Sequence, residues 1–328
     1  MIMRSSTFKV FLHWQRSIAA SLLIAWCSAT TASADEEIPT EPSWYDSAHQ
    51  SVSESIDNSA SWFDNFFGDP RTQLDELDDR ADAYLKVTIE GFYSGVEGES
   101  EVDVKASGSI ALPRTENRLR LAFTSDADTA ITGEEAVDTE PTQRQGGFSR
   151  DRGGLGLAYL LYENPENLFT LGAGIKGGPE FYTKGVHRYT RQLGQTTRLR
   201  MTNTLYWLTD DGAGVSSLLD FDHKTREDTL WRYTLFGNYN ETTDGLDWST
   251  QATWLRQLDA KSAISARLGI NGATEKPDAI TETWATFRYR GNFLRPWLFY
   301  EIEPGLSWHE KEDYDTEPTL ALRLELLF

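Results

Sequence analysis

Histidine and carboxylate side chains are the first candidates for acid–base or metal chemistry in this sequence, and histidine is scarce. From residue 35 onward the histidines are His49, His187, His223 and His309. His309 stands next to Glu310, and a histidine–carboxylate pair can act as a general base or bind a divalent cation. A solvated acidic loop has the same composition, because Glu312, Asp313 and Asp315 follow. No set of nucleophile, base and acid is recognisable, so the sequence predicts no catalytic residues and no metal site.

Thiol and phosphate-binding chemistry find no support in the composition. Cys27 is the only cysteine, and it lies in a segment that we predict to be removed, so no disulfide, thiolate metal site or thiol nucleophile is expected. The glycine-rich run Gly153-Gly154-Leu155-Gly156 begins a strand-like segment and precedes no helix. A phosphate cradle needs that helix, and the sequence therefore predicts no cofactor.

Fixed charge is the remaining chemistry, and it is regularly spaced. After residue 83, charged side chains alternate with apolar ones, which places them on one face of extended segments. These candidate lumen-lining residues are Lys86, Glu90, Lys105, Arg118, Arg120, Arg198, Arg200, Arg232, Arg267, Glu282, Arg288, Arg290, Glu301, Glu303, Arg323 and Glu325. Guanidinium groups along a polar path would favour anionic or carboxylate-bearing solutes. The same residues could instead form a salt-bridge network that fills a narrow interior, and the sequence leaves both interpretations open.

The elements that must position these charges are β-strands. Leu85, Val87 and Ile89 alternate with polar residues, and the same period of two continues to Phe328. It predicts about fourteen strands, within a range of about twelve to sixteen. Their predicted ranges are 83–94, 102–112, 118–125, 153–163, 168–176, 181–191, 197–208, 214–223, 229–240, 246–257, 263–271, 280–290, 297–308 and 319–328.

The connections and the aromatic residues favour a membrane barrel. Connections after even-numbered strands are brief, whereas the two longest, 125–152 and 309–318, follow odd-numbered strands. This is the pattern of an all-β, antiparallel up-and-down transmembrane barrel. A soluble sandwich or lipocalin-like barrel alternates in the same way, but so many long strands would need an unusually large sandwich. Aromatic residues near strand ends, such as Tyr93, Trp207 and Trp308, are typical of membrane-interface girdles.

The N-terminal region divides into two parts. Basic residues, an apolar stretch from Ile18 to Trp26 and Ala32-Ser33-Ala34 have the order of a secretory signal peptide. We predict that residues 1–34 are removed, that residues 35–82 form a periplasmic segment and that residues 83–328 form the barrel. The apolar stretch is shorter than the roughly 20 residues that a membrane-spanning helix needs.

The segment 35–82 is strongly acidic, with 14 acidic and two basic residues, and we expect most of it to be solvated. Within it, helical spacing of Val52, Ile56, Ala60, Phe63 and Phe67 predicts an amphipathic helix near 51–67. One interpretation places this helix on the periplasmic rim. The other makes it a plug of the lumen, or a dock for a periplasmic partner, through the aromatic cluster Trp62, Phe63, Phe66 and Phe67.

The C-terminal strand carries a resemblance to a known class. Leu320, Leu322, Leu324, Leu326 and Phe328 share one face, and an alternating strand that ends in an aromatic residue resembles the C-terminal signature of Gram-negative outer-membrane β-barrel proteins. The resemblance implies an outer-membrane location with both termini in the periplasm and contact with membrane lipid and lipopolysaccharide. It also implies recognition of Phe328 by the barrel assembly machinery.

Three functions fit this sequence. The first is a passive pore or small-solute channel with an arginine-rich lumen. The second is a surface enzyme acting on lipid or peptide, which the scarce histidine disfavours. Its site would be the loop at His309, and the same loop could instead bridge to lipopolysaccharide through a divalent cation. The third is a structural or assembly factor that binds a periplasmic partner through residues 35–82. A net charge of −20 argues against nucleic acid, for which a basic surface is expected.

Overall fold

A computed structural model describes residues 62–64, 66–67, 83–95, 100–112, 118–132, 153–177, 180–242, 245–274, 280–293 and 295–328. All of them belong to one compact unit. In the described part of the chain, no helix is both long enough and apolar enough to cross a membrane. The predicted signal peptide and most of the segment 35–82 lie outside the described residues, so the predictions about them stay predictions.

Fourteen strands account for most of the described chain. They are β1 (Ala83–Ser94), β2 (Ser100–Ala111), β3 (Leu119–Thr124), β4 (Gly154–Glu163), β5 (Asn167–Lys176), β6 (Glu180–Gln192), β7 (Thr197–Leu208), β8 (Gly212–Arg226), β9 (Thr229–Asn240), β10 (Asp247–Asp259), β11 (Ser262–Ala273), β12 (Ile280–Asn292), β13 (Leu298–His309) and β14 (Glu317–Leu327). A short helix, α1 (Ala127–Thr132), lies between β3 and β4, and a 3₁₀ turn (Glu310–Glu312) lies between β13 and β14.

The strands form a closed antiparallel barrel, which confirms the predicted fold class. Each strand pairs with its neighbours in sequence, and β1 pairs with β14 to close the sheet. Two backbone hydrogen bonds of 2.9 Å between Leu85 and Phe328 complete this closure. Closure satisfies the edge strands that an open sheet would leave unpaired. We call the end of the barrel where β1 begins and β14 ends the terminal end.

Burial alternates along the strands as the period of two predicts. In β9, for example, Trp231, Tyr233 and Leu235 are exposed, whereas Arg232 and Thr234 are buried. Because the enclosed side of a closed barrel is its interior, the buried side chains point inward and the exposed apolar ones point outward. An apolar exterior of this kind is the reverse of a soluble barrel's surface and matches a wall that faces lipid.

One proline interrupts the wall between β12 and β13. Pro304 has no N–H to donate, and the pairing of the two strands runs from Glu282 to Thr286 and resumes at Tyr289. At this position the side chains connect the strands instead, because Arg288 Nε donates to Glu303 Oε2 at 2.5 Å. The ion pair thus bridges the gap in the backbone ladder.

The connection between β3 and β4 contains an element that the sequence pattern did not predict. Helix α1 buries Ala127 and Ile131 against Tyr206 and Leu208, which lie on the inward face of β7. Lys184 Nζ also donates to the carbonyl of Ala130 at 2.7 Å. Helix α1 therefore packs on the inside of the barrel at the end opposite the terminal end. The expectation of longer loops at that end is only partly met, since residues 177–179 and 209–211 make connections as short as the turns.

Candidate functional site

The buried charges gather into two clusters on opposite parts of the wall. The first, which we call the aspartate cluster, contains Arg198, Arg200, Asp220, Asp222, Arg232 and Asp64. The second, the glutamate cluster, contains Glu90, Arg267, Arg288, Arg290, Glu301, Glu303, Arg323 and Glu325. Both are built by strands whose inward residues the alternation of the sequence specifies.

Strand register assembles the wall part of the aspartate cluster. Asp222 lies directly across from Arg198 on β7 and from Arg232 on β9. Opposite charges at directly facing positions stabilise a sheet. Arg198 Nη2 approaches Asp222 Oδ2 at 2.8 Å, and Arg232 grips both carboxylate oxygens of Asp222, at 2.6 and 3.1 Å. Asp222 therefore holds two guanidinium groups in fixed positions.

Asp220 pairs with the third arginine one step further along the strands, through a longer contact. It faces Arg200 on β7 and Thr234 on β9. The Thr234 hydroxyl donates to Asp220 Oδ1 at 2.7 Å, and Arg200 Nε lies 3.4 Å from Asp220 Oδ2. The five wall residues of the aspartate cluster are all buried: Arg198, Arg200, Asp220, Asp222 and Arg232.

Asp64 completes the aspartate cluster from outside the wall. This residue belongs to the helical residues 62–64 and 66–67, and only 2% of its surface is exposed. Arg232 Nη1 donates to Asp64 Oδ1 at 2.6 Å, whereas the nearest atoms of Arg200 and Arg198 lie 3.4 and 3.6 Å from Asp64 Oδ2. One short charge-assisted bond and two long contacts thus hold this carboxylate.

The surroundings of Asp64 also determine its ionisation. Burial opposes the charged form, but the guanidinium groups of Arg232, Arg200 and Arg198 outweigh burial and hold the pKa of Asp64 below its usual value. The carboxylate is therefore ionised at neutral pH although it is buried.

The glutamate cluster is a row of alternating charge across the closure of the barrel. Arg290, Glu301, Arg323 and Glu90 face one another in turn on β12, β13, β14 and β1. Arg290 is completely buried and binds Glu301 at 2.6 Å and Glu325 at 2.5 Å. Arg323 binds Glu90 at 2.6 Å and Glu301 at 2.8 Å. This row links β12 to β1 through side chains as well as through the backbone.

The second row of the glutamate cluster contains Glu303 and its partners. Arg288 and Arg267 approach Glu303 at 2.5 and 2.9 Å, and Arg267 also donates to the Thr286 hydroxyl at 3.1 Å. Four arginines and four glutamates make up the cluster, so its formal charges cancel. Balanced, multiply bonded pairs are what buried charge requires.

The aromatic residues that flank Asp64 pack against the wall at the terminal end. Phe63 is buried against Leu230 and Leu255, while Phe66 is buried against Ala263 and Phe299. The ring of Phe66 stacks on Trp62 at 4.7 Å and lies under the Arg290 guanidinium at 5.9 Å. Trp62 and Phe67 pack against the same two apolar groups. The predicted aromatic cluster therefore contacts the inside of the barrel's own wall.

Five other predicted lumen residues lie outside the two clusters. Arg120 is buried and donates to Ser109 at 3.3 Å, and the fully buried Glu282 accepts from Asn271 at 3.2 Å. Lys86 and Lys105 are only partly buried. Arg118 is exposed and directly precedes β3, where its carbonyl accepts a hydrogen bond from the Leu160 N–H at 2.8 Å, so its position along the lumen stays a prediction.

The contacts described for His309, His187 and His223 are with a turn, an aromatic ring and a hydroxyl. His309 Nδ1 accepts a hydrogen bond from the backbone N–H of Lys311 at 3.0 Å and so caps the 3₁₀ turn. His187 stacks on Phe169 at 4.1 Å on the outward side of β6. His223 Nδ1 lies 3.0 Å from the Thr197 hydroxyl. Among the residues that the structure describes, no group of three or more His, Cys, Asp or Glu is placed to hold a metal ion.

Asp64 is the site residue that sequence reasoning missed. The helical spacing placed it on a polar face away from the apolar stripe, which predicted solvation, yet it is buried among arginines. The available signal was a mismatch of charge: an acidic N-terminal segment precedes a wall in which inward basic residues slightly outnumber carboxylates. That mismatch indicates that the segment and the wall attract each other. It does not indicate which of the fourteen acidic residues of the segment contacts the wall.

Comparisons with known proteins place similar folds in the outer membrane. No family model and no curated protein matches the chain. An anion-selective porin from Comamonas acidovorans is 8% identical, with a TM-score of 0.48 over 75% of this chain and 98% of that chain. OprB of Pseudomonas putida is 10% identical, with a TM-score of 0.47 over 80% of this chain and 97% of that chain. The channel DcaP of Acinetobacter baumannii is 9% identical, with a TM-score of 0.45 over 75% and 96%. Such distant likeness carries no function to this chain, which must be interpreted from its own residues.

Proposed function

We propose that this protein is a Gram-negative outer-membrane barrel that acts as a channel for small anionic solutes, and that residues 62–67 close its terminal end. The observation that carries the proposal is the composition of the two sides of the wall. The outward side is apolar, whereas the inward side carries charged side chains held at fixed positions by their partners. A protein that only needed a filled core could use apolar side chains there, without the desolvation cost of buried charge.

Two segments that occupy the interior support a gated path rather than an open pore. Phe63 and Phe66 pack on the wall at the terminal end, and α1 packs on Tyr206 and Leu208 near the opposite end. Neither segment belongs to the wall. Both can therefore narrow or block the interior without contributing to barrel closure.

Conductance in planar bilayers tests the channel. We expect the mature chain to conduct rarely and the chain without residues 35–82 to conduct continuously, because the latter lacks the segment that occupies the terminal end. In a salt gradient the open state should prefer anions, and the preference should decrease at high salt as the screening length falls from about 10 Å at 0.1 M to about 3 Å at 1 M. Because α1 can also block the interior, a folded barrel that stays silent without both residues 35–82 and residues 127–132 would exclude a channel.

Replacement of the wall arginines tests the selectivity separately. Exchanging Arg198 and Arg200 for glutamate in the shortened chain should move the reversal potential toward cations, since fixed charge in a low-dielectric wall determines the local ion concentration. Exchange of Arg256, which is exposed on the outward side of β10, is the matched control and should leave the reversal potential unchanged.

The location and assembly of the protein are part of the proposal. Phe328 is 64% exposed and stacks on Trp297 at 5.5 Å, so its ring contributes little to the interior. Leu327 points inward, toward Phe66 and Phe299. We expect Phe328→Ala to reduce the amount of assembled barrel in cells severalfold without weakening the fraction that assembles. Leu327→Ala should leave the assembled amount nearly unchanged but weaken the barrel that assembles. Equal behaviour of the two variants would argue against Phe328 as an assembly signal.

The alternatives gain less support. A dock for a periplasmic partner would use Trp62, Phe63, Phe66 and Phe67, but these rings pack on the barrel itself. A surface enzyme would need a general base, and the described contact of His309 Nδ1 is a backbone cap. Neither arrangement favours a second function.

A further inference from the structure

We infer that an uncharged part of the inner wall binds a neutral solute with several hydroxyl groups, the chemical class of monosaccharides and sugar alcohols. The binding side chains are those of Ser249, Gln251, Trp284 and Ser307, which we call the neutral site. The inference goes beyond the proposed function, because it concerns uncharged solutes and does not depend on ion flow. It follows from the buried hydrogen-bonding atoms of these side chains and from their positions in the strands.

Each side chain of the neutral site has a buried polar atom that lacks a hydrogen-bond partner among the described residues. These atoms are Ser249 Oγ, Gln251 Oε1, Trp284 Nε1 and Ser307 Oγ. Between 0% and 7% of the surface of these residues is exposed. Because a buried polar atom without a partner costs free energy, proteins pair nearly all of them. Four such atoms in one region therefore point to a bound partner.

Strand register brings a donor and an acceptor of the neutral site together. Gln251 on β10 faces Gly269 on β11, which in turn faces Trp284 on β12. The indole lies over Gly269, since a Cβ on Gly269 would be only 2.7 Å from Trp284 Nε1. The indole N–H thus lies above the position that directly faces Gln251. Trp284 Nε1 and Gln251 Oε1 are close, but they do not bond each other.

The two serines extend the neutral site. Ser307 on β13 faces Trp284, and Ser249 lies two residues from Gln251 on the same inward face of β10. Neighbouring strands are about 4.8 Å apart, and side chains on one face of a strand are about 7 Å apart. One water molecule cannot contact all four atoms over this area.

The unpaired atoms define the chemistry of the ligand. A hydroxyl group both donates and accepts, so one hydroxyl of a ligand can accept from Trp284 Nε1 and donate to Gln251 Oε1. The hydroxyls of Ser249 and Ser307 can act in either direction. A molecule with several hydroxyl groups on one short carbon skeleton therefore matches the neutral site.

Neighbouring contacts hold the neutral site in place. Gln251 Nε2 donates to Thr253 Oγ1 at 2.8 Å, which orients the amide and leaves its oxygen as the acceptor. The guanidinium group of Arg267 lies 5.6 Å from the centroid of the Trp284 ring, a cation–π contact. Side chains that are fixed before a ligand arrives need less ordering when it binds.

The border of the neutral site favours an uncharged solute. The fully buried Glu282 lies two residues before Trp284 on the inward face of β12, and Glu317 on β14 faces Ser307. The charge of Arg267 is offset by a glutamate of the wall at 2.9 Å. A solute with a negative charge would meet the two bordering carboxyl groups, whereas an uncharged solute avoids this repulsion.

Binding of sugars to the full mature chain tests the neutral site, in a detergent without sugar groups. Saturation-transfer NMR should show saturable binding of sorbitol, glucose or galactose to the wild type. Trp284→Phe keeps a ring over Gly269 but removes the N–H donor. It should weaken binding about five- to tenfold, since one hydrogen bond corresponds to up to about a tenfold change in affinity. Ser217→Ala removes a hydroxyl from the outward face of β8 and is the control that should leave binding unchanged.

Stability measurements separate a ligand site from a structural role. Ser249→Ala and Ser307→Ala remove atoms without a partner among the described residues. Without added sugar, both variants should therefore unfold at urea concentrations no lower than the wild type. Added sorbitol should raise the urea concentration needed to unfold the wild type more than that of either variant, because a ligand stabilises the state that binds it. Loss of stability without sorbitol would assign these hydroxyls to the fold and overturn the inference.

The ligand class is tested with a matched pair. Sorbitol and gluconate share a carbon chain, but gluconate ends in a carboxylate, and we expect the wild type to bind it more weakly than sorbitol. Tighter binding of gluconate would overturn the uncharged class. Absence of saturable binding for sorbitol, glucose and galactose, or equal binding by the wild type and Trp284→Phe, would overturn the inference. None of these measurements needs ion flow, so a silent barrel that binds sorbitol would contradict the channel alone.

Discussion

Both charge clusters pair arginines with carboxylates on the inside of one wall, but they differ in which part of the chain supplies the carboxylates. In the glutamate cluster the partners that the structure describes belong to strands, and the row Arg290, Glu301, Arg323 and Glu90 crosses the closure between β14 and β1. In the aspartate cluster the strands supply only Asp220 and Asp222, and Asp64 comes from a segment that precedes the wall. Among the described residues, one cluster is built by strands alone, and the other includes a residue from outside the strands.

This difference separates a structural network from an exchangeable one. Breaking a pair inside the wall leaves a buried charge that nothing else can reach, which is strongly destabilising. We expect the loss of a partner from outside the strands to destabilise the wall less, because the pairs between strands stay in place. The interpretation as a salt-bridge network therefore suits the glutamate cluster, and the interpretation as a charged path suits the aspartate cluster.

The largest effect is expected from Arg290→Leu, which breaks the glutamate cluster at its most buried member. Glu301 and Glu325 would each lose a partner at 2.6 and 2.5 Å, and an unpaired buried charge costs about 3–5 kcal/mol. We expect little folded barrel, measured as the fraction whose gel migration changes on boiling. Wild-type amounts of heat-modifiable barrel would mean that this cluster does not stabilise the closure.

A smaller loss is expected from Asp222→Asn in the wall of the aspartate cluster. Asp222 binds Arg198 and Arg232, and hydrogen bonds to charged groups contribute about 1.5–3 kcal/mol. Unfolding by urea should begin at lower concentration than in the wild type, while folded barrel is still recovered. Asp64→Asn is the matched comparison and should leave the urea transition of the wall unchanged. If both variants were equally destabilised, the distinction between wall and segment would be lost.

Acidification should release residues 62–67 without unfolding the wall. Because the pKa of Asp64 is lowered in the folded protein, its ion pairs with Arg198, Arg200 and Arg232 contribute fully above the usual aspartate pKa. That contribution is lost only as the pH falls through the lowered value. The fluorescence difference between the wild type and Trp62→Phe reports the environment of Trp62 and should stay constant from neutral pH down to about pH 4. Release near pH 6 would contradict this placement of Asp64.

The smallest effect is expected from Arg256→Gln, which removes an ion pair of the same type from the surface. Arg256 lies 3.4 Å from Asp228, and both side chains are more than 40% exposed. Exposed pairs contribute little because water and salt screen them. The amount of barrel whose gel migration changes on boiling and the urea concentration at which it unfolds should match those of the wild type. A clear loss would mean that burial is not what distinguishes the two clusters.

Several features of this protein follow from the sequence alone because they depend on neighbours along the chain. Alternation within a strand determines which side chains share a face, so the inward phase of Arg198, Arg232 and Arg290 and all fourteen strands could be predicted. The ends of the strands differ from the predicted ones by a few residues, with a bulge as in β8 and β10 or without one as in β6 and β14, because backbone pairing at a strand end does not need the apolar alternation.

The partners of those charges were decided only by the tertiary structure. Asp222 faces Arg198 and Arg232 because of the register between three strands, and a strand's own period of two does not specify that register. The inward folding of α1 and the burial of Asp64 depend on a cavity that exists only after β1 pairs with β14. Local alternation thus determined the wall and its two faces, whereas closure decided which charges meet and which segments enter.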